Sequence, residues 1–208
     1  MPSVDKVTQI TYNRFLNYYE LSTTNRVGEN GRYFMASRAK DIASLDLSTR
    51  QNRPDGVVMF GLAGRMHDHV VLVRQYRYPI AGWIYELPAG LIEKDEDYRD
   101  AAVREMKEET GMTFRPLEVD PMYERPFYNS VGMTDESCCM VYGYCEGTIS
   151  REGLENSEDL EVVLADRREA VRILKAERVA ANCAYMLMQF IAHPDDGFSF
   201  LKGRSEIQ

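Results

Sequence analysis

The sequence contains few of the residues that mark a zinc-binding or disulfide-linked protein. Its 208 residues include four cysteines, three histidines and one tryptophan. The cysteines form an adjacent pair, with a third a little further on and a fourth far along the chain: Cys138, Cys139, Cys145 and Cys183. Because this spacing matches neither a zinc site nor a disulfide framework, we interpret all four as small core residues in a reducing compartment.

The sequence also lacks long apolar runs. No stretch reaches the roughly 18 apolar residues that a membrane span requires. The first residues, "MPSVDKVTQITYNRF", have no basic segment followed by an apolar one, which argues against a signal peptide. We therefore expect a cytoplasmic protein with no membrane partner.

Basic residues are fewer than acidic residues. The chain has 25 Lys and Arg against 33 Asp and Glu, a formal net charge of −8. This excess of negative charge disfavours the polyanionic backbone of nucleic acid as a partner. If such a protein handles phosphate groups, it needs local cations, supplied by a few basic side chains or by a bound metal ion.

The chain shows no internal repeat, low-complexity tract or Gly/Ser linker. Alternating aromatic and polar residues around the turn signal "GENG" predict an antiparallel hairpin region within residues 12–40. The stretch "LDLSTRQNRPDG" (45–56) is the best candidate boundary. We therefore predict a β-rich segment at 1–50 and a larger domain at 51–208.

The larger domain mixes strand and helix signals without a strict strand–helix–strand rhythm. The segments "GVVMFGLAG" and "HVVLVRQYRY" predict two strands joined by a polar turn. Residues 97–110 predict a helix, with acidic residues at its start and Gly111 as a left-handed cap. Two strands and two closing helices follow. This order predicts an α+β fold with a mixed sheet rather than a doubly wound parallel sheet.

The predicted helix at 97–110 carries three acidic residues within two turns. At 100° per residue, Glu105 and Glu109 project on nearly the same side, which they share with Tyr98 and Ala102. Glu108 lies further round the helix. A solvated acidic face is the plain interpretation. Carboxylates on an inward-facing stripe instead need a counter-charge, and a divalent cation with oxygen ligands supplies it.

The spacing around this helix decides between the two interpretations. The sequence matches all seven fixed positions of the Nudix box, at Gly90, Glu96, Arg104, Glu105, Glu108, Glu109 and Gly111. Its two aliphatic positions are Met106 and Met112. At ordinary residue frequencies, such a match arises by chance in on the order of one in a million chains of this length. The sequence thus resembles a Nudix hydrolase, which implies an α/β/α sandwich built on a mixed sheet.

The resemblance also implies a metal site and a chemistry. In the family, Mg²⁺ (with Mn²⁺ as a possible substitute) assists hydrolysis of a nucleoside diphosphate linked to another group. Glu105 and Glu109 are then the main metal ligands, Glu108 is a further ligand or a water-orienting group, and the Ala89 carbonyl is a backbone ligand. Arg104 and the remaining box acid, Glu96, form an internal scaffold. The number of metal ions stays open.

The residues that flank the box indicate which branch of the Nudix family the sequence resembles. The segment "RQYRYPIAGWIYELPAGLIE" (74–93) is similar to the ADP-ribose pyrophosphatase and nucleoside diphosphate sugar branch. That branch implies Arg77 as a substrate contact and Glu86 as an acid near the metal or ribose. Trp83 is either a platform for the substrate or a core residue.

The same branch implies a homodimer, in which the N-terminal β-rich segment joins the neighbouring subunit. Residues 1–50 fit this role, because they hold more aromatic side chains than a free hairpin leaves in water. The aromatic residues of this segment are Tyr12, Phe15, Tyr18, Tyr19, Tyr33 and Phe34.

Two later segments bear on substrate and catalysis. In "YNSVGMTDES" (128–137), Val131 stands where the branch usually has a proline, a departure that leaves other nucleoside diphosphate sugars open. Glu136 falls where the branch often has an acid facing the site. The general base of the family usually comes from a later acidic loop, here "GLENSEDLEVV" (153–163). Glu158 is our first candidate for the base and Glu155 the second.

The sequence as a whole predicts a Mg²⁺-dependent pyrophosphatase. We expect a nucleoside diphosphate sugar as substrate, with ADP-ribose first, giving AMP and ribose 5-phosphate. UDP-glucose-like and GDP-mannose-like substrates are the alternatives. A non-catalytic sensor of nucleotide sugars is a distant alternative, because the box carboxylates are retained and no basic recognition helix is present.

Overall fold

The computed structural model describes residues 1–153 and 159–202, and within these ranges the chain forms eleven strands and four α-helices. The strands, β1 to β11, are Ser3–Gln9, Asn17–Thr24, Asn30–Ser37, Gly56–Ala63, His69–Arg77, Gly82–Glu86, Ala89–Leu91, Thr113–Pro116, Phe127–Tyr128, Ser137–Glu146 and Leu160–Ala165. The helices, α1 to α4, are Asp46–Thr49, Tyr98–Thr110, Arg167–Ala176 and Ala181–Ala192. None of these helices is both long enough and apolar enough to cross a membrane.

The chain forms two compact units. Of the described residues, the first contains 1–55 and 126–138, and the second contains 56–125, 139–153 and 159–202. In the first unit, β1, β2 and β3 form an antiparallel sheet in that order, and β2 and β3 make the hairpin that the sequence predicts around "GENG". Its small core is made by Tyr19, Leu21, Met35 and Leu45.

The second unit is built on a mixed sheet whose central strands run in the order β11-β5-β4-β10-β8. β6 pairs with β5, and β7 pairs with β4. The two strands predicted from "GVVMFGLAG" and "HVVLVRQYRY" are β4 and β5, and they pair antiparallel beside their connecting turn. The α+β class predicted from the sequence is confirmed.

Every residue of β4 is buried, which means that the sheet is covered on both faces. Val57 and Met59, which alternate along the strand, share one core cluster with Ala102 and Met106 of α2. On the other face, the Phe60 ring packs edge-on against Phe198, with 5.7 Å between ring centroids. Helix α2 therefore packs against the sheet through its apolar face.

Helix α2 begins and ends within one residue of its predicted span. Asp97 caps its start, and the Asp97 carboxylate accepts a hydrogen bond from the Arg99 amide at 2.8 Å. Gly111 caps its end in the left-handed region, with φ 75°. A side chain at Gly111 would also collide with Ser150, so both conformation and space require glycine there.

The first turn of α2 is also held by a buried carboxylate. Glu124 accepts hydrogen bonds from Nη2 of Arg99 at 2.6 Å and from the Tyr98 hydroxyl at 3.0 Å. Glu124 is almost fully buried, and the Arg99 guanidinium pairs with it there. This pairing fixes the start of the helix that carries the acidic residues.

Candidate active site

The acidic face of α2 meets the short strand β7. The Ala89 amide donates a hydrogen bond to Oε2 of Glu109 at 3.1 Å. Gly90 lies directly over the Glu105 carboxylate, so closely that a Cβ atom at residue 90 would overlap it. The backbone of β7 and the carboxylates of Glu105 and Glu109 thus come together at one place.

The three glutamates of this helix differ in burial. Glu109 is 5% exposed, the Glu105 side chain is 14% exposed and the Glu108 side chain is 48% exposed. This order follows from the helical spacing, because Glu105 and Glu109 face the sheet while Glu108 lies toward solvent. The Lys107 ammonium lies away from them and donates to the Gly111 carbonyl at the helix end.

The arginine of the same helix holds several of these carboxylates at once. Arg104 grips Glu96 with two hydrogen bonds, Nε to Oε1 and Nη2 to Oε2, each 2.9 Å long. Its Nη1 donates to Oε1 of Glu105 at 2.7 Å and to Oε2 of Glu108 at 3.1 Å. The bidentate contact is the main cause that lowers the pKa of Glu96 to about 2.

The donor set suits a hard divalent cation. Within residues 1–153 and 159–202, no three Asp, Glu, His or Cys side chains converge on one point as a complete metal site. Mg²⁺, however, commonly takes only one or two protein carboxylates and completes its octahedron with water and substrate phosphate. Glu105 and Glu109, which meet at the Ala89–Gly90 backbone, offer two such carboxylates.

Comparison with known families agrees with this geometry. The NUDIX domain model matches residues 52–183, which is more than half of the chain. This chain belongs to the Nudix family. The acidic helix and the glycine of β7 therefore lie in the Nudix box that the sequence predicts.

Two of the similar proteins are named ADP-ribose pyrophosphatases, and a third has a different name. The chain is 31% identical over 123 residues to the ADP-ribose pyrophosphatase of Bacillus subtilis, covering 57% of this chain and 63% of that protein. It is 39% identical over 74 residues to the ADP-ribose pyrophosphatase of Saccharomyces cerevisiae, covering 36% and 30%. The methanol dehydrogenase activator of Bacillus methanolicus is 31% identical over 126 residues, covering 59% and 64%. The chain spans less than two thirds of the length of each of these relatives.

A solved structure shows the same fold over nearly the whole chain. The crystal structure of an ADP compounds hydrolase superposes with a TM-score of 0.65, covering 99% of this chain and 97% of that one. The two sequences are 16% identical, so this likeness establishes the shared fold alone. It agrees with the Nudix fold predicted from the sequence.

Arg77 and Glu86, the predicted substrate contacts of this Nudix domain, form an ion pair across β5 and β6. Nη2 of Arg77 lies 2.8 Å from Oε2 of Glu86. About half of the Arg77 side chain is exposed, whereas most of Glu86 is covered. Only two residues separate Glu86 from Ala89 of β7, so the pair lies close along the chain to the Nudix box.

Trp83 lies in the same pair of strands and is partly buried. The Arg74 guanidinium stacks over its ring, 4.8 Å from the centroid, and also pairs with Glu161 at 3.2 Å. Tyr76 contacts the Trp83 ring edge-on, with 6.0 Å between centroids. One face of the Trp83 ring is thus taken by the protein itself, and no local sequence pattern points to Arg74 as its partner.

Glu136, the third predicted substrate contact, belongs to the first compact unit. There its Oε1 accepts a hydrogen bond from Nε of Arg38 at 2.8 Å. The neighbouring segment forms a turn, in which the Met133 amide donates to the Ser130 carbonyl at 2.8 Å. Val131, at the position of the expected proline, is exposed in this turn.

Both candidates for the general base, Glu158 and Glu155, lie outside the described residues. The residues on either side of that segment are held by the second unit. Gly153 lies against the backbone of Glu108, where a Cβ atom would be 2.8 Å from the Glu108 carbonyl oxygen. The Asp159 carbonyl accepts a hydrogen bond from the Tyr76 amide at 3.1 Å. Gly153 therefore lies beside α2 of the Nudix box, and Asp159 lies beside β5.

Proposed function

We propose that this protein hydrolyses the pyrophosphate bond of a nucleoside diphosphate sugar in a Mg²⁺-dependent reaction. The observation that carries the proposal is the meeting of the Glu105 and Glu109 carboxylates at the Ala89–Gly90 backbone. Two of the similar proteins are themselves called ADP-ribose pyrophosphatases, which supports the same reaction class.

Glu105, Glu109 and the Ala89 carbonyl are the proposed ligands of Mg²⁺, with Glu108 as a further ligand or a group that orients water. When bound, Mg²⁺ screens the negative charge of the pyrophosphate and acidifies a bound water. The protein fixes the two inner carboxylates: Glu109 is held by the Ala89 amide and Glu105 is enclosed under Gly90. Carboxylates fixed before the substrate arrives need little reorganisation during the reaction.

The remaining proposed roles divide between binding and proton transfer. Arg77 is proposed to contact a substrate phosphate or base, since a guanidinium can do either. Glu86 pairs with Arg77 and so orients it, and Glu136 is a further proposed substrate contact. Glu158, or otherwise Glu155, is proposed as the general base that takes a proton from the attacking water.

ADP-ribose is the proposed first substrate, with AMP and ribose 5-phosphate as products. UDP-glucose-like and GDP-mannose-like substrates are the second candidates, because Val131 lacks the fixed backbone angle that a proline gives the turn after Ser130. A panel of ADP-ribose, UDP-glucose, GDP-mannose and dinucleotides with Mg²⁺, with products identified, separates them. We expect the highest kcat/KM for ADP-ribose. A panel in which no nucleoside diphosphate sugar is cleaved would contradict the proposal.

We further propose a cytoplasmic homodimer that uses residues 1–50. The first unit exposes many of the aromatic side chains of this segment, at Tyr12, Phe15, Tyr18, Tyr33 and Phe34. Tyr18 and Phe34 stack in parallel, with 5.8 Å between centroids, and form an apolar patch. Tyr19 does not belong to this exposed set, because β-strand alternation turns it into the core, where it is fully buried.

The homodimer is tested by light scattering at micromolar concentration. We expect twice the chain mass of 23.9 kDa. Replacing Tyr18 and Phe34 together with Ser is expected to give a monomer, because the change removes the stacked apolar pair. Replacing the exposed Tyr185 of α4 with Ser is the control and is expected to leave the mass unchanged. A wild-type protein that stays monomeric contradicts the proposal.

A further inference from the structure

One guanidinium lies between two groups of box carboxylates. Nε and Nη2 of Arg104 are bound by Glu96, and Nη1 is shared by Glu105 and Glu108. The Leu91 carbonyl accepts a further hydrogen bond from Nη2 at 3.0 Å. Arg104 therefore bridges a carboxylate at the start of the box and two carboxylates near its end.

The two sides of this bridge differ in strength. Glu96 receives two parallel hydrogen bonds from the guanidinium, the geometry that makes arginine–carboxylate pairs strong and directional. Glu105 and Glu108 instead divide a single nitrogen, Nη1, between them. The contact with Glu96 is thus the stronger one. The contacts of Nη1 with Glu105 and Glu108 are the weaker ones, which a metal ion can displace.

The Arg104 guanidinium lies beside the carboxylates that are the proposed ligands of the metal ion. The Arg104 guanidinium offsets part of the negative charge of Glu105 and Glu108, and these oxygens cannot serve Nη1 and a divalent ion equally well at the same time. Metal binding at Glu105 then has to weaken the contact with Nη1. The more strongly Glu96 binds the guanidinium, the smaller is the free-energy cost of weakening the contact between Nη1 and Glu105.

We propose that Arg104 is an internal counter-ion that competes with the divalent metal for Glu105 and Glu108, and that Glu96 sets the strength of this competition. This inference rests on the metal site of the proposed function. It makes Arg104 and Glu96 positioning residues with opposite effects on metal affinity. If Arg104 and Glu96 serve only as a structural scaffold, the expected result is different. Loss of either residue then disorders the carboxylates of Glu105 and Glu108, and metal binding is weaker in both variants.

The test is Mn²⁺ binding to the substrate-free protein, measured from the electron paramagnetic resonance signal of free Mn²⁺. Arg104→Gln removes the competitor and is expected to bind Mn²⁺ about 3- to 10-fold more tightly. Glu96→Gln releases the guanidinium toward Glu105 and Glu108 and is expected to bind Mn²⁺ more weakly by a similar factor. Arg104→Met is a second variant without a charge or a hydrogen-bond donor and is expected to match Arg104→Gln. Circular dichroism of each variant checks the fold.

Glu146→Gln is the matched control, because it removes one carboxylate charge from an exposed pair with Arg115. We expect no change in its Mn²⁺ affinity. Weaker Mn²⁺ binding in all three box variants would overturn the counter-ion role and leave the proposed function intact. A wild-type protein that binds no Mn²⁺ would instead refute the metal site itself, and the counter-ion role with it.

Discussion

Glu109→Gln is expected to lower turnover of ADP-ribose at least ~100-fold. Glu109 is buried and meets the β7 backbone, so its carboxylate is fixed at the place proposed for the metal. Glutamine has the same size, and its side-chain oxygen can still accept the hydrogen bond from the Ala89 amide. The fold should therefore survive while one ligand charge is lost.

The measurement for Glu109→Gln is kcat at saturating substrate over a range of Mg²⁺ concentrations. Glu146→Gln serves as the control, since it makes the same chemical change at an exposed surface pair, and its activity should stay near that of the wild type. Near-wild-type turnover of Glu109→Gln, or of the wild type after exhaustive chelation, would contradict the role of the carboxylate.

Gly90→Ala is expected to reduce activity by a comparable factor, on the order of 100-fold, because small displacements of a reacting group are that costly. The added methyl group would overlap the Glu105 carboxylate. The backbone cannot easily retreat, because Gly90 is paired with Val57 of β4 in the sheet. The Glu105 side chain must therefore move away from the site.

Gly147→Ala is the control for Gly90→Ala. It shows how much stability is lost when a glycine is replaced without a collision between the new methyl group and a carboxylate. Gly147 has φ 101°, which strains alanine, and in the described part of the chain no neighbouring atom would touch the new Cβ. We expect Gly147→Ala to lose some stability in urea unfolding but to keep its activity. If Gly90→Ala is as active as Gly147→Ala, then close packing of Gly90 on Glu105 is not needed for catalysis.

Local signals are enough to predict much of the fold. Helix α2 carries its own caps, Asp97 and Gly111, so the predicted span of 97–110 differs from Tyr98–Thr110 by one residue. The hairpin of β2 and β3 likewise has its turn signal within the chain segment that forms it. Strand β7 has no such signal, because its three residues are too few to form a periodic pattern, and it is defined by its pairing with β4.

The candidate site is predictable to the extent that it is a local motif. Helical spacing alone places Glu105 and Glu109 on one side of α2. The contacts of Arg104 are predictable in part, because its pairing with Glu108 follows from the spacing of one helical turn. Its bidentate grip on Glu96 spans the start of the helix and depends on how the preceding loop folds back.

Contacts between distant parts of the chain are not predictable from local patterns. The stacking of Arg74 on Trp83 requires the pairing of β5 with β6, and the ion pair of Arg74 with Glu161 requires the neighbouring position of β11. The division of the chain into compact units also depends on such contacts. The first compact unit also takes in residues 126–138, which no composition change marks in the sequence.

Hydrolysis of ADP-ribose in ¹⁸O-labelled water, with the products read by mass spectrometry, tests the central claim most directly. The charges of Glu105, Glu109 and Mg²⁺ are proposed to act on the pyrophosphate and not on the sugar carbon. The proposed mechanism therefore predicts one ¹⁸O atom in a phosphate group, of either AMP or ribose 5-phosphate. Label found only on a sugar carbon would contradict attack at phosphorus.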